Sequence, residues 1–264
     1  MTTLRFSKYE GLGNDFVVIE GDEGAVSPAD AARLCDRHFG IGGDGVLLVA
    51  RPVSPGAVAR MIVLNADGSR PEMCGNGLRC VAAYLGASRG AEASSFVVDT
   101  DAGPRGCEVD AGTGTVTIDM GVAVSAGPID VHLLGHTVRL ARVSMGNPHA
   151  ITFEDLGHDA LARFGPGLAT HPAFPQGTNV ELCRMRDDGG VDVLVWERGV
   201  GPTLACGTGA CAVAAFAVSS GLAPFERELA VHLPGGPLFI TVGRDLSVRM
   251  RGPARRVFTG EADV

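Results

Sequence analysis

Cys74-Gly75-Asn76-Gly77-Leu78-Arg79-Cys80-Val81-Ala82-Ala83-Tyr84 and Cys206-Gly207-Thr208-Gly209-Ala210-Cys211-Ala212-Val213-Ala214-Ala215-Phe216 align without a gap at an offset of 132 residues. In each, a Cys-Gly-x-Gly loop enters an Ala-rich, almost wholly apolar run, 78–86 and 210–220. Both runs predict helices buried on most faces. The same offset, to within one residue, pairs Gly13-Asn14 with Gly146-Asn147 and Gly45 with Gly177. Agreement of several sites at one offset points to a duplicated domain.

Around these loops lie short runs rich in Val, Ile, Leu, Thr and Phe, at 16–19, 46–50, 61–64, 96–100, 115–120, 137–143, 150–153, 180–183, 191–196 and 238–242. Bounded by Gly and Pro, they predict strands, many in antiparallel pairs. Ser27-Pro28-Ala29-Asp30 places an N-cap serine before a proline at the first helical position, so a helix is expected to about His38, ahead of Gly40. The fold expected is α+β (mixed α/β), of two pseudo-symmetric domains: 1–121 with Cys74 and 122–264 with Cys206, joined by the crossing segment 121–128. Roughly the last 12 residues are expected to pack back on the first domain.

The chain of 264 residues is 45% apolar, enough for one large or two ordinary cores. Its net charge of −8 argues against nucleic acid or an anionic membrane as partner, because both demand a basic face. A small anionic substrate needs only local positive charge. Residues 1–10 lack the apolar run of a secretory signal, and 210–218 is too short to span a bilayer, so a cytoplasmic protein is expected. The basic residues comprise a single lysine, Lys8, and 21 arginines. Schiff-base chemistry of the pyridoxal phosphate kind must therefore use Lys8 or is excluded.

Seven cysteines, Cys35, Cys74, Cys80, Cys107, Cys183, Cys206 and Cys211, are read as thiols in a chain too long to need stapling. Neither Cys74/Cys80 nor Cys206/Cys211 has zinc-knuckle spacing, and no close histidine pair accompanies them, so no metal is expected. Cys74 and Cys206 stand where a loop meets a helix, with unpaired amides and the positive helix end beside the sulfur. There a thiol pKa is expected to fall below its free value of about 8.5. The bland reading is two small buried hydrophobes; duplication favours the reactive one, while the other five cysteines are left as structural. Two acid/base groups on opposite faces of one Cα are the minimal machine for inverting it, with helix-end amides absorbing enolate-like charge on the carboxylate.

Asn14, Asn65, Asn147 and Asn179 lie at strand ends, each readable as a turn former or as a substrate contact. Glu197-Arg198 precedes Cys206 as Asn65 precedes Cys74, by nine residues. The planar fork of Arg198 suits a carboxylate. His149 is read either as a satisfied structural histidine or as a group that tunes a neighbouring thiolate.

Gly11-Leu12-Gly13-Asn14-Asp15-Phe16, Asn65-Ala66-Asp67-Gly68, Cys74-Gly75-Asn76-Gly77, Met145-Gly146-Asn147-Pro148-His149, Gly177-Thr178-Asn179-Val180, Glu197-Arg198-Gly199 and Ala205-Cys206-Gly207-Thr208-Gly209 together closely resemble the diaminopimelate epimerase family, in order, from about residue 6 to the C-terminus. The resemblance implies a cofactor-independent two-base epimerase interconverting LL- and meso-diaminopimelate in lysine and peptidoglycan precursor biosynthesis. It also implies two halves, each a curled, largely antiparallel sheet around a central helix, and a homodimer. Position by position it makes Cys74 and Cys206 the catalytic thiols. Gly75, Asn76, Gly207 and Thr208 become donors to the reacting carboxylate. Asn14, Asn65, Asn147, Asn179, Glu197 and Arg198 become substrate contacts, and His149 with Glu197 tuners of the thiols.

Two positions depart from the pattern. Gly45 stands where some members carry a substrate-binding glutamine, and Phe258 where some place a tyrosine at the dimer contact. Rival readings are a proline, hydroxyproline or other amino-acid racemase of the same fold, though proline racemases typically read Cys-Gly-His where Asn76 stands here. A rival of another class is a redox switch using a Cys74–Cys206 disulfide.

Overall fold

In a computed structural model, which describes residues 3–89 and 93–263, the chain forms two compact units. One comprises residues up to Asp119 together with those from Arg251 onward; the other is Met120–Met250. The chain begins with β1 (Thr3–Gly11), β2 (Asn14–Glu20), α1 (Pro28–Cys35), β3 (Gly45–Ala50), β4 (Ala57–Asn65), α2 (Gly75–Arg89), β5 (Ala93–Asp99), β6 (Arg105–Asp110) and β7 (Thr115–Val122). It continues through β8 (Val124–Leu133), β9 (His136–Ser144), β10 (Pro148–Thr152), α3 (Ala160–Ala169), β11 (Asn179–Met185), β12 (Val191–Glu197) and β13 (Gly201–Thr203). There follow α4 (Gly207–Ser219), β14 (Glu228–Leu233), β15 (Gly236–Val242), β16 (Ser247–Pro253) and β17 (Arg255–Asp263). β17 pairs antiparallel with β1, which places the end of the chain in the first unit.

The duplication is visible in the hydrogen-bond ladders. From β1 through β6, successive neighbours pair antiparallel, parallel, antiparallel, parallel and antiparallel. The series β9, β10, β11, β12, β14 and β15 repeats that order. Register repeats as well: Ala57 faces Val97 where Val191 faces Val231. A parallel step needs a crossover long enough for a helix, and α1, α2, α3 and α4 fill the four crossovers in turn.

The crossovers go to different faces. α2 touches β1 through β6 and also β17, as a sheet curled around a helix requires, and α4 likewise touches β9, β10, β11, β14 and β15. α4 is apolar all round, every residue from Ala210 to Ala215 being buried, whereas α2 also buries Arg79. α1 packs mainly on β3 and β4. With it pack Val46 and Leu48 of β3 and Ile62 and Leu64 of β4, while Leu47, on the alternate face of β3, presses on α2 at Gly77. α3 closes the equivalent layer in the second unit, where Phe164 and Leu168 join Val138, Leu140 and Val180.

The helix expected from Ser27 to about His38 starts as anticipated, with a reciprocal capping box between Ser27 and Asp30. It stops at Cys35 because the Asp36 carboxylate takes the amides of His38 and Phe39, at 2.7 and 2.8 Å, and starts a turn. α3 was not anticipated, since Gly165-Pro166-Gly167 reads as a break. Its glycines serve close approach: a Cβ at Gly165 would lie 2.9 Å from Trp196, and one at Gly167 would lie 2.8 Å from Leu133.

Candidate active site

The loops that deliver the asparagines are built for sharp reversal. Leu12 and Gly13 have φ of 58° and 80°, and Gly11 pairs with Asn14. This is the two-residue hairpin geometry with both central residues left-handed. In the second unit Gly146, at φ 96°, precedes Asn147 in the same way.

Cys74 and Cys206 occupy equivalent places, one residue ahead of α2 and α4. Their carbonyls accept the first helical bonds, from Leu78 N at 2.8 Å and Ala210 N at 3.0 Å. Their sulfurs accept from the amides of Gly77 (3.3 Å) and Gly209 (3.4 Å). Each thiol thus takes the capping role usually held by a serine or aspartate oxygen. A side chain at either glycine would have to displace a neighbour: a Cβ would sit 3.3 Å from the capping sulfur in both, and 2.9 Å from Leu47 in one or 2.8 Å from Glu181 in the other. The amides of Gly75, Asn76, Gly207 and Thr208 belong to the first helical turn, which lacks intrahelical acceptors and favours anions.

The expected fall in thiol pKa does not hold at Cys206. Burial, then the nearby Glu197 and Glu181 carboxyls, push it well above the ordinary value, and the hydrogen bonds from Thr208 and Gly209 only oppose this. A helix end contributes about 0.3–1 kcal/mol, whereas burying a charged group shifts it by several times that. At 4% exposure, burial wins, and Cys206 keeps its proton at neutral pH. Cys74 is only half-buried. Elsewhere burial raises Cys35 to about 11, Cys80 and Cys107 to about 12, and Cys183 well above its ordinary value, as inert interior thiols require. None of the seven cysteines is disulfide-bonded.

Beside Cys206 the structure assembles most of the residues expected there. Thr208 Oγ1 lies 3.5 Å from the sulfur and accepts from Asn147 Nδ2 at 3.2 Å. Asn147 Oδ1 is 3.0 Å from His149 Nε2. His149 therefore reaches the thiol through two intermediaries. Its Nδ1 meets Glu181 Oε1 at 2.6 Å, both side chains being fully buried. Glu181 was not singled out in the sequence; at the offset of 132 it aligns with apolar Val49, whereas the ladders make Leu47 its counterpart and Asn179, not Gly177, the counterpart of Gly45. Glu197 accepts from Thr203 Oγ1 at 2.6 Å, and burial raises its pKa. Asn179 Oδ1 accepts the amide of Arg198 at 2.8 Å, while the exposed Arg198 side chain donates to the Gln176 carbonyl at 2.7 Å.

Near Cys74, Asn76 Nδ2 donates to Asn14 Oδ1 at 3.1 Å, and Asn14 Nδ2 donates to Asp44 Oδ2 at 2.5 Å. Asn65 ends β4 opposite Gly45 and donates to Ser69 Oγ at 2.9 Å. A Cβ at Gly45 would fall 2.7 Å from the Leu64 carbonyl, so this backbone admits no side chain there. Lys8 is buried against Asp15 Oδ2 and the Gly42 carbonyl, which leaves it committed to structure rather than to a Schiff base. Phe258 packs edge-on against Phe6, ring centroids 5.8 Å apart. Among the described residues, no group of three or more His, Cys, Asp or Glu is disposed to hold a metal, and no helix is long and apolar enough to cross a membrane.

A family model described as diaminopimelate epimerase matches residues 6–126 and 141–257. A diaminopimelate epimerase of Synechococcus elongatus is 43% identical, with 99% of each chain covered, and one of Desulfitobacterium hafniense is 43% identical, with 97% of each covered. Among solved structures, a probable proline racemase from Agrobacterium radiobacter, with bound carbonate, superposes at a TM-score of 0.77 with 15% identity, over 99% of this chain and 93% of that one. That degree of likeness concerns the fold alone.

Proposed function

Because the chain belongs to the diaminopimelate epimerase family, we propose that it inverts one α-carbon of 2,6-diaminopimelate, interconverting the LL and meso forms by a two-base mechanism. The observation that carries the mechanism is the repeated thiol cap, a sulfur held by a glycine amide at the entrance of both α2 and α4. Inversion requires one group to take the α-proton from one face while another delivers a proton to the other. We assign these roles to Cys74 and Cys206. The resting Cys206 holds its proton, which suits it to the acid role in one direction, with Cys74 as base; the roles exchange in the reverse reaction. The first-turn amides of Gly75, Asn76, Gly207 and Thr208 take up charge developing on the carboxylate. Asn14, Asn65, Asn147, Asn179, Glu197 and Arg198 hold the remainder of the substrate, and no lysine is free to form a Schiff base.

A homodimer and a cytoplasmic location accompany this reading. Seven cysteines outside any disulfide suit a reducing compartment. On β17, Val257 and Phe258 are large apolar side chains left exposed, as a subunit contact requires. The substrate assignment is tested by incubating the protein with LL-diaminopimelate, L-proline and L-histidine in deuterated water. Deuterium is expected at Cα of diaminopimelate, with meso product formed; exchange with proline alone would make the protein a racemase of the related class. Oxidant is expected to inactivate and reductant to restore; exchange that persists with Cys74 and Cys206 disulfide-linked would defeat the thiol mechanism.

A further inference from the structure

Glu181 sits in the middle of β11 with no exposed surface, and its Oε2 has no hydrogen-bond partner among the described residues. The duplication shows what the position ordinarily holds. Glu181 faces Ile151 where Leu47 faces Val18, and His149 faces Asn179 where Phe16 faces Gly45. Leu47 and Glu181 each press against the second glycine of the helix entrance. The second unit thus carries a carboxyl–imidazole pair where the first packs leucine and phenylalanine. Apolar side chains usually serve stability as well as or better than a buried ion pair, which points to a use for this one.

The hydrogen bonds have a direction. His149 Nε2 faces Asn147 Oδ1, an acceptor, so Nε2 carries a hydrogen, while Nδ1 is held by the carboxyl. Asn147 then presents its NH2 to Thr208, which takes up one lone pair of the hydroxyl oxygen and leaves its hydrogen free to point at the Cys206 sulfur. With Nε2 bare, the Asn147 amide would turn over, Thr208 would donate to Oδ1, and the sulfur would meet a lone pair.

We propose that Glu181 is a positioning residue for Cys206: by holding the His149 ring at Nδ1 it fixes the Asn147 amide and turns the Thr208 hydroxyl toward the sulfur, so that a buried thiolate becomes attainable. This rests on Cys206 being one of the two acid/base thiols. The titratable groups around the relay are Glu197 and Cys206 at one end and the His149–Glu181 pair and Cys183 at the other.

The test uses Glu181→Leu, Glu181→Gln and His149→Phe in the full chain. Two quantities are read: the pH titration of the thiolate absorbance that disappears with Cys206→Ala, and kcat and KM for LL-diaminopimelate. Glu181→Leu is expected to move the Cys206 titration up by about one pH unit and to lower kcat about tenfold or more, with KM within about twofold. Glu181→Gln, which keeps a hydrogen-bonding group at Nδ1 but carries no charge, lies between. The His149→Phe/Glu181→Leu double variant loses no more than the worse single one. A downward shift would mean that Glu181 acts only as a bare negative charge and would overturn the proposal, as would unchanged titration and kcat in a folded variant. Should Glu181→Leu not fold, Glu181→Gln gives the same two readings. A normal titration shift in a protein that exchanges no diaminopimelate proton would instead sink the substrate assignment and leave the relay standing.

Discussion

Burial decides how single residues behave in this protein. Glu197 is held above its ordinary pKa by burial. A carboxyl raised in the folded state contributes stability below its unfolded pKa of about 4.3 and loses it as pH rises through the folded value. Glu197→Gln should therefore melt higher than the parent at neutral pH, with the difference closing below about pH 4, even as activity falls. Equal melting points at pH 7 would contradict this. Asp15 goes the other way: burial opposes ionisation, but Arg37 and Lys8 hold its carboxyl below the usual range. Its contribution is present above an unfolded pKa of about 3.9 and is lost as pH drops through the folded value. Asp15→Asn strands buried Lys8 and should cost about 2–4 kcal/mol in urea unfolding at neutral pH, with a smaller cost in acid. The two capping thiols and the Asn14/Asn147 pair stood out in the sequence because repetition marked them. Glu181 was not, because a carboxylate between Val180 and Leu182 reads as a solvent-facing strand position until its neighbours are known.

Elements were legible where a period or a cap announced them, as with the capping box of α1 and the apolar runs that became α2 and α4. α3 was hidden because its glycines answer to tertiary contacts that local sequence does not reveal. If Gly165 is there for Trp196, Gly165→Ala should destabilise by about 1–3 kcal/mol through overpacking. Helix propensity alone predicts a gain of about 1 kcal/mol, so the sign of the change in the urea midpoint separates the two causes. Ser27→Ala should cost about 1 kcal/mol through loss of the cap.

For the whole chain, the offset of 132 residues foretold two halves, and the repeated order of ladders is its structural counterpart. The return of the chain's end to the first half was expected, but its strand-to-strand pairing with β1, nearly the whole chain away, carries no local signal. Deleting residues 254–264 should strip β1 of that partner, and hydrogen exchange at the amides of 5–10 should accelerate while those of α4 stay protected. The central claim, one thiol for each face of a single carbon, is tested most directly by Cys74→Ala and Cys206→Ala, each given LL-diaminopimelate in deuterated water. Both folded variants are expected to form meso product at least about 1,000-fold more slowly than the parent. A near-parental rate from either one would contradict the account.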